Sequence, residues 1–284
     1  MSCSKSIKFL AFVVGGLLLA QPFAKADIVS TIENAKSGTT VDCSGTYTVS
    51  VEIKVPSGVT VLGPATFAFT TGYNTSNGFY FDGGSDQKLE SITVTGANHG
   101  VEMNSNGGQA INCTAHNNYN TGFQIEDSSG ENSTISGCTS YDNVDSQDGG
   151  GNADGIDVKS GSGSGNTVTS CTVHNNSDDG FDSEKASDPV TYSSCTSYSN
   201  GSYDGYQGNG NGFKMGIGGD DVAHTYNSCT AYDNTAGNSP HGFSTNGNTG
   251  KIKLNECHSY SNTDKDELGN CILTNCTMQT SGGD

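Results

Sequence analysis

One six-residue phrase returns six times along the chain and constrains what it can fold into. It reads Cys113-Thr-Ala-His-Asn-Asn118, then Cys138-Thr-Ser-Tyr-Asp-Asn143, Cys171-Thr-Val-His-Asn-Asn176, Cys195-Thr-Ser-Tyr-Ser-Asn200, Cys229-Thr-Ala-Tyr-Asp-Asn234 and Cys257-His-Ser-Tyr-Ser-Asn262. Successive cysteines lie 25, 33, 24, 34 and 28 residues apart. A second phrase follows most copies: Gly122-Phe123, Gly155-Ile156, Gly180-Phe181, Gly212-Phe213 and Gly242-Phe243. Self-similarity at periods in the twenties and thirties is the signature of a solenoid, whose units bury their apolar faces against their neighbours. Within the copies apolar and polar residues alternate, which means strands rather than helices. No copy holds an amphipathic run long enough for a helical repeat. The expected fold is therefore all-β: a right-handed parallel β-helix, with three short strands per coil and loops of variable length between them.

In such a coil equivalent residues stack about 4.8 Å apart. Asn118, Asn143, Asn176, Asn200, Asn234 and Asn262 should then form a ladder, each side-chain amide bonding to the next inside a turn. The repeated cysteines should form an interior column. Disulfides want Cβ atoms about 3.8 Å apart, closer than the rungs, so the column reads as buried free thiols. Cys43, Cys271 and Cys276 lie outside the six-fold phrase. Cys271 and Cys276 could pair with each other.

The first residues read as an export signal. Lys5 and Lys8 precede an apolar run over residues 9–20, too short to span a bilayer comfortably, and Ala24-Lys25-Ala26 matches a small-x-small cleavage site. Residues 1–26 are expected to be a signal peptide, and residues 27–284 one catalytic β-helix domain of a secreted, extracellular, monomeric protein. Ile28, Ile32 and Ala35, with Gly38 behind them, predict a short amphipathic helix over residues 27–37 that caps the open end of the coil. Beyond the leader, nine lysines face thirty acids, a net charge of −21. That argues against nucleic acid and anionic membranes as partners. There is no arginine in the chain, so any cationic role falls to a lysine, a histidine or a metal.

The acids are unevenly spread. Asn152-Ala-Asp154-Gly-Ile-Asp157, Ser177-Asp178-Asp179-Gly-Phe-Asp182 and Asn211-Gly-Phe213-Lys214 occupy three successive coils. Aligned on their Gly-hydrophobic pairs, Asp157, Asp182 and Lys214 share one column, and Asp154, Asp179 and Asn211 another. Ile156, Phe181 and Phe213 point inward, so their neighbours point out. Asp154, Asp178, Asp179 and Asp182 are thereby gathered on one face, where unpaired carboxylates repel. A hard divalent cation relieves this, and an all-oxygen cage suits Ca²⁺. A lysine beside a dication is pushed towards its neutral form and can act as a general base. The alternative for the acids is a solvated acidic face, and for Lys214 a ladder ion pair to Asp182.

At NADGIDVK, NNSDDGFD and GNGNGFKMG, followed by HTYNSCTAYDN and HGFSTN, the sequence resembles the pectate lyases of polysaccharide lyase family 9. The resemblance covers most of the chain beyond the leader and is densest over residues 152–246. It implies a right-handed parallel β-helix with an asparagine ladder, calcium ligands at Asp154, Asp178, Asp179 and Asp182, and a lysine base at Lys214. Lys159 falls where a contact to a substrate carboxylate is implied. The implied activity is calcium-dependent cleavage of polygalacturonate, the backbone of plant cell wall pectin, by β-elimination to 4,5-unsaturated products. Two other readings compete: a polygalacturonase-type glycoside hydrolase with a carboxylate pair, and a non-catalytic β-helical adhesin.

Overall fold

A computed structural model describes residues 25–73 and 76–282. Every coil follows from the alternation in the sequence. In the strand Thr172–His174, Val173 is buried and its neighbours are not, and the same pattern recurs at Thr139–Tyr141, Thr196–Tyr198 and Thr230–Tyr232. Each regular coil contributes two such strands to one long parallel sheet and a third to a shorter parallel sheet; among the described residues these have 17 and eight strands. Consecutive coils keep an unbroken register, with Thr139 opposite Thr172, Thr172 opposite Thr196 and Thr196 opposite Thr230. No helix among the described residues is long and apolar enough to cross a membrane.

The two repeated phrases each have a packing cause. The asparagines form the expected ladder: Asn118 Nδ2 donates to Asn143 Oδ1 (2.9 Å), Asn143 to Asn176 (2.8 Å), Asn176 to Asn200 (2.9 Å), Asn200 to Asn234 (3.2 Å) and Asn234 to Asn262 (3.0 Å). Gln279 supplies the next rung, its Oε1 accepting from the Asn262 amide at 2.8 Å. The glycines of the second phrase lie against the adjoining coil. A Cβ on Gly180 would sit 2.7 Å from the Gly212 carbonyl oxygen and 2.0 Å from Ser197 Oγ, so no larger residue fits. Beside them the inward aromatics stack, Phe181 on Phe213 at 4.7 Å and Phe213 on Phe243 at 4.6 Å.

Cys113, Cys138, Cys171, Cys195, Cys229 and Cys257 form the interior column as unpaired buried thiols. Cys271 and Cys276 are unpaired as well. The aromatic or histidine position of the same phrase builds a stack on the outer surface: His116, Tyr141, His174, Tyr198, Tyr232 and Tyr260 follow at centroid spacings of 4.8–5.3 Å.

The capping helix forms over Lys25–Glu33 and is shorter at its C-terminal end than the sequence suggests. Ile28 and Ile32 bury against the first coil as expected. The helix stops because Asn34 Nδ2 bonds back to the Ser30 carbonyl and the Ala35 amide takes Ile32 O, an i to i+3 bond that tightens the last turn. Gly38, at φ 81°, then swings the chain into the first coil, its amide donating to Gly58 O. The expected signal peptide lies outside the described residues apart from Lys25 and Ala26, which begin this helix.

The ladder is expected to carry much of the fold's stability. Asn176→Ala removes an acceptor for the Asn143 amide and side chain and a donor to Asn200, all fully buried. With about 1–3 kcal/mol for each buried group left unpaired, the variant should lose about 3–5 kcal/mol in urea unfolding. A loss under about 1 kcal/mol would show that the ladder is not an energetic element.

Candidate active site

The shorter sheet carries the site. Its strands Ile156–Val158, Phe181–Asp182 and Phe213–Lys214 are in parallel register, Asp157 opposite Asp182 and Asp182 opposite Lys214. The column aligned from the sequence is therefore real. Its groups point away from the core yet are not solvated: Asp154, Asp157 and Asp179 are 0% exposed, Asp182 1%, Asp178 and Lys214 6%. Chain from two loops folds over them. The Asn152 amide donates to Asp178 Oδ2 (2.8 Å) and the Asn209 amide to Asp178 Oδ1 (2.6 Å). A Cβ on Gly208 would lie 2.4 Å from Asp178 Oδ1, so only glycine allows that approach.

Of the four aspartates expected to hold a metal, three converge. Asp154, Asp178 and Asp179 each offer a carboxylate oxygen, all within 4.8 Å of one another. Asp154 Oδ1 accepts the Asp179 amide (3.1 Å), and Asp179 Oδ1 accepts the amide (2.7 Å) and side chain (2.9 Å) of Asn211. Asp179 Oδ2 is buried and accepts no hydrogen bond. Burial and the neighbouring carboxylates push Asp179 well above the ordinary carboxylate range and Asp154 up to about 7. Crowded buried carboxylates, one with an oxygen that accepts no hydrogen bond, fit a hard cation such as Ca²⁺.

Asp182 turns to the lysines. Its Oδ2 is 3.3 Å from Lys214 Nζ and 3.4 Å from Lys159 Nζ. Lys159 lies among three carboxylates, Asp154 (2.8 Å), Asp157 (3.3 Å) and Asp182. Thr121 Oγ1 donates to the same Asp157 oxygen, Oδ2, at 2.9 Å, and Asp157 Oδ1 is buried and accepts no hydrogen bond. Lys214 Nζ lies 3.5 Å from Asp179 and 2.9 Å from Glu184. Burial disfavours its charge, but Asp182, Asp179 and Asp154 outweigh this and hold the ammonium well above the usual lysine range.

Glu184 escaped the sequence reading although it approaches Lys214 more closely than either aspartate. The signal was two residues further along the same alignment: Glu184 follows Gly180 by four, as Lys159 follows Gly155 by four. Its carboxyl, which burial alone would raise, is pulled down to about 2 by hydrogen bonds from Lys185 and Lys214.

With this geometry in hand, the relatives can be placed. A family model described as the Pel9A-like right-handed β-helix region matches residues 18–275. The chain belongs to the Pel9A-like family. Pectate lyase L of Dickeya chrysanthemi is 33% identical to this Pel9A-like chain over 199 residues, 67% of the chain and 43% of that relative. The chain thus spans less than half the length of the curated relative it matches. The crystal structure of pectate lyase Pel9A superposes with a TM-score of 0.75 at 23% identity, covering 88% of this chain and 72% of that one. A rhamnogalacturonan lyase superposes at 0.69, also at 23% identity, over 82% and 68%. At these identities the superpositions establish a shared Pel9A-like coil, and the right-handed parallel β-helix read from the repeat is borne out.

Proposed function

We propose that this chain is a secreted, calcium-dependent polysaccharide lyase acting on polygalacturonate, with Lys214 as general base. The observation that carries the reading is a buried lysine amine, Lys214 Nζ, set against a buried aspartate cluster on the open sheet of a Pel9A-like coil. Buried charges of this kind cost stability and persist where a site needs them.

Asp154, Asp178 and Asp179 would hold the calcium, with Asp182 completing the set in the resemblance. When bound, calcium supplies the positive charge that offsets both the aspartates and a substrate carboxylate. With Asp179 and Asp182 engaged, two of the three carboxylates beside Lys214 Nζ would no longer favour its charged form, and Glu184 remains as its partner. The neutral Lys214 amine accepts the proton on the carbon beside the uronate carboxylate. The C5–H bond breaks, a C4=C5 double bond forms, and the C4–O bond to the departing sugar breaks, its oxygen taking a proton from water. Lys159 would meet the substrate carboxylate, two of its three aspartate partners, Asp154 and Asp182, then being engaged by the cation. A glycosidase reading would need one carboxyl free to protonate the leaving oxygen. Both oxygens of Asp178 accept backbone amides instead, and Asp179 faces Asn211 and Lys214. A solvated acidic face, as on an adhesin, would leave these groups exposed.

The decisive assay is growth of ultraviolet absorbance from unsaturated uronide on polygalacturonate. Absorbance is expected with calcium and not with excess chelator. Reducing ends without absorbance would instead establish a hydrolase.

A further inference from the structure

Just before the Gly-hydrophobic pairs of the last four regular coils stand Asp154, Asp179, Asn211 and His241 in turn. The amides of Gly155, Gly180 and Gly212 donate to the carbonyls of Asp179, Asn211 and His241, which fixes their register. His241 is therefore two rungs beyond Asp179, about 10 Å along the coil. Its ring makes two bonds: Nδ1 lies 2.6 Å from the Lys265 carbonyl oxygen, and Nε2 lies 2.9 Å from Ser239 Oγ. A carbonyl oxygen only accepts, so in the neutral ring Nδ1 carries the proton, Nε2 keeps its lone pair and the Ser239 hydroxyl donates to it. A serine hydroxyl bonded to Nε2, with Nδ1 fixed from behind, is the arrangement that activates serine as a nucleophile.

Both side chains are half-buried and so open to a reactant. Their backbone is held on each side. Pro240, buried between them, fixes one φ. The Ser239 amide donates to Asn209 O (3.0 Å) and the Asn209 amide to Asp178 Oδ1 (2.6 Å), which ties the pair to the aspartate cluster. A Cβ on Gly242 would lie 2.1 Å from Ser259 Oγ and 2.8 Å from Asp266 Oδ1, so the chain after His241 is seated against the next coil. Burial raises the Asp266 carboxyl, while hydrogen bonds from the Phe243 amide, Ser259 and the Gln279 amide and the charge on His241 draw it back. By the same interaction Asp266 favours an imidazolium at His241.

We propose that Ser239 and His241 are a second catalytic pair, which hydrolyses carboxylic esters on the polymer lying along this sheet. The inference rests on the lyase reading only for the polymer that bears the ester. Ser239 Oγ attacks the ester carbonyl carbon as its proton passes to His241 Nε2. The bond from that carbon to the alkoxy oxygen breaks, and the departing alcohol takes the proton from Nε2. Water then gives a proton to Nε2 and attacks the acyl group; the acid leaves and the proton returns to Ser239 Oγ. Two sources share this chemistry: a methyl-esterified uronate, which yields methanol and a carboxylate, and an O-acetylated sugar, which yields acetate.

The test is made in excess chelator, so that no calcium-dependent step contributes. A fluorophosphonate, which captures activated serines, should label wild-type Ser239, as located by mass spectrometry of the digested protein. Wild type should also release methanol from highly methyl-esterified pectin or acetate from acetylated polygalacturonate, and which of the two identifies the ester. His241→Gln should lose the label, and both it and Ser239→Ala should lose at least about a hundredfold of the release while melting as wild type does. His241→Asn replaces the glutamine variant if that fails to fold. No label at Ser239, a label without release from either polymer, or release unmoved in the folded variants overturns the pair. Ester release without any unsaturated product when calcium is restored sinks the lyase reading alone and leaves the pair standing.

Discussion

Lys214→Arg is expected to fold, to bind calcium and to make no unsaturated product above about 10⁻² to 10⁻⁴ of the wild-type rate. The guanidinium keeps the positive charge that Asp182, Asp179 and Glu184 surround, but it does not deprotonate and so cannot take a proton from the substrate. Arginine is the more informative replacement. Lys214→Ala should be equally inactive, but it also strips the buried carboxylates of their counter-charge, a change of about 3–5 kcal/mol where a buried pair is broken. Loss of activity in the alanine variant alone could therefore reflect a weakened fold. An arginine variant that retains most of the wild-type rate would remove Lys214 from the role of base.

Asp179→Asn is expected to separate the metal's role from the fold's. Asp179 Oδ2 is buried without a hydrogen bond, and burial with the Asp178 charge disfavours its ionised form. The isosteric amide keeps the Oδ1 acceptor that Asn211 uses and removes one charge from the cluster. Without calcium the variant should melt at or above the wild-type temperature. The sign follows from the raised carboxyl: ionising it opposes folding, and the opposition is present wherever pH lies above the unfolded value and grows as pH rises towards the folded one. With calcium the order should reverse. A ligand at a hundred times its Kd stabilises the wild type by about 2.7 kcal/mol, and the loss of one charged ligand should cut that affinity at least about tenfold. If calcium raises the melting temperature of both proteins equally, the ion does not bind at this cluster.

Much of this was legible because a parallel coil converts sequence offsets into spatial columns. Aligning three Gly-hydrophobic pairs was enough to set Asp157, Asp182 and Lys214 in register, since a rung admits no other pairing without turning the apolar residues outward. The same offsets gave the asparagine ladder. The capping helix was placed correctly and its end was not, because the stop at Glu33 comes from bonds made by Asn34 and Ala35 rather than from Gly38, five residues on.

The environment of the site was not legible. From the alternation Asp154, Asp178 and Asp179 should stand on an outer face, and they do, but under chain from residues 152 and 208–211, whose amides close on them. Loop paths are decided by contacts between coils far apart in sequence, which no period reports. Nor did the alignment say that Asp182 would turn to two lysines or that Glu184 would come within 2.9 Å of Lys214 Nζ; a rotamer is chosen by the summed field of its neighbours. The sequence by itself determined the coil, its register and the columns in which the reactive residues stand, because strand periodicity is local and repeats. Only the tertiary structure decided which of those residues are buried, which oxygen accepts no hydrogen bond and which charges face one another, because burial and electrostatics are sums over atoms brought together by the fold.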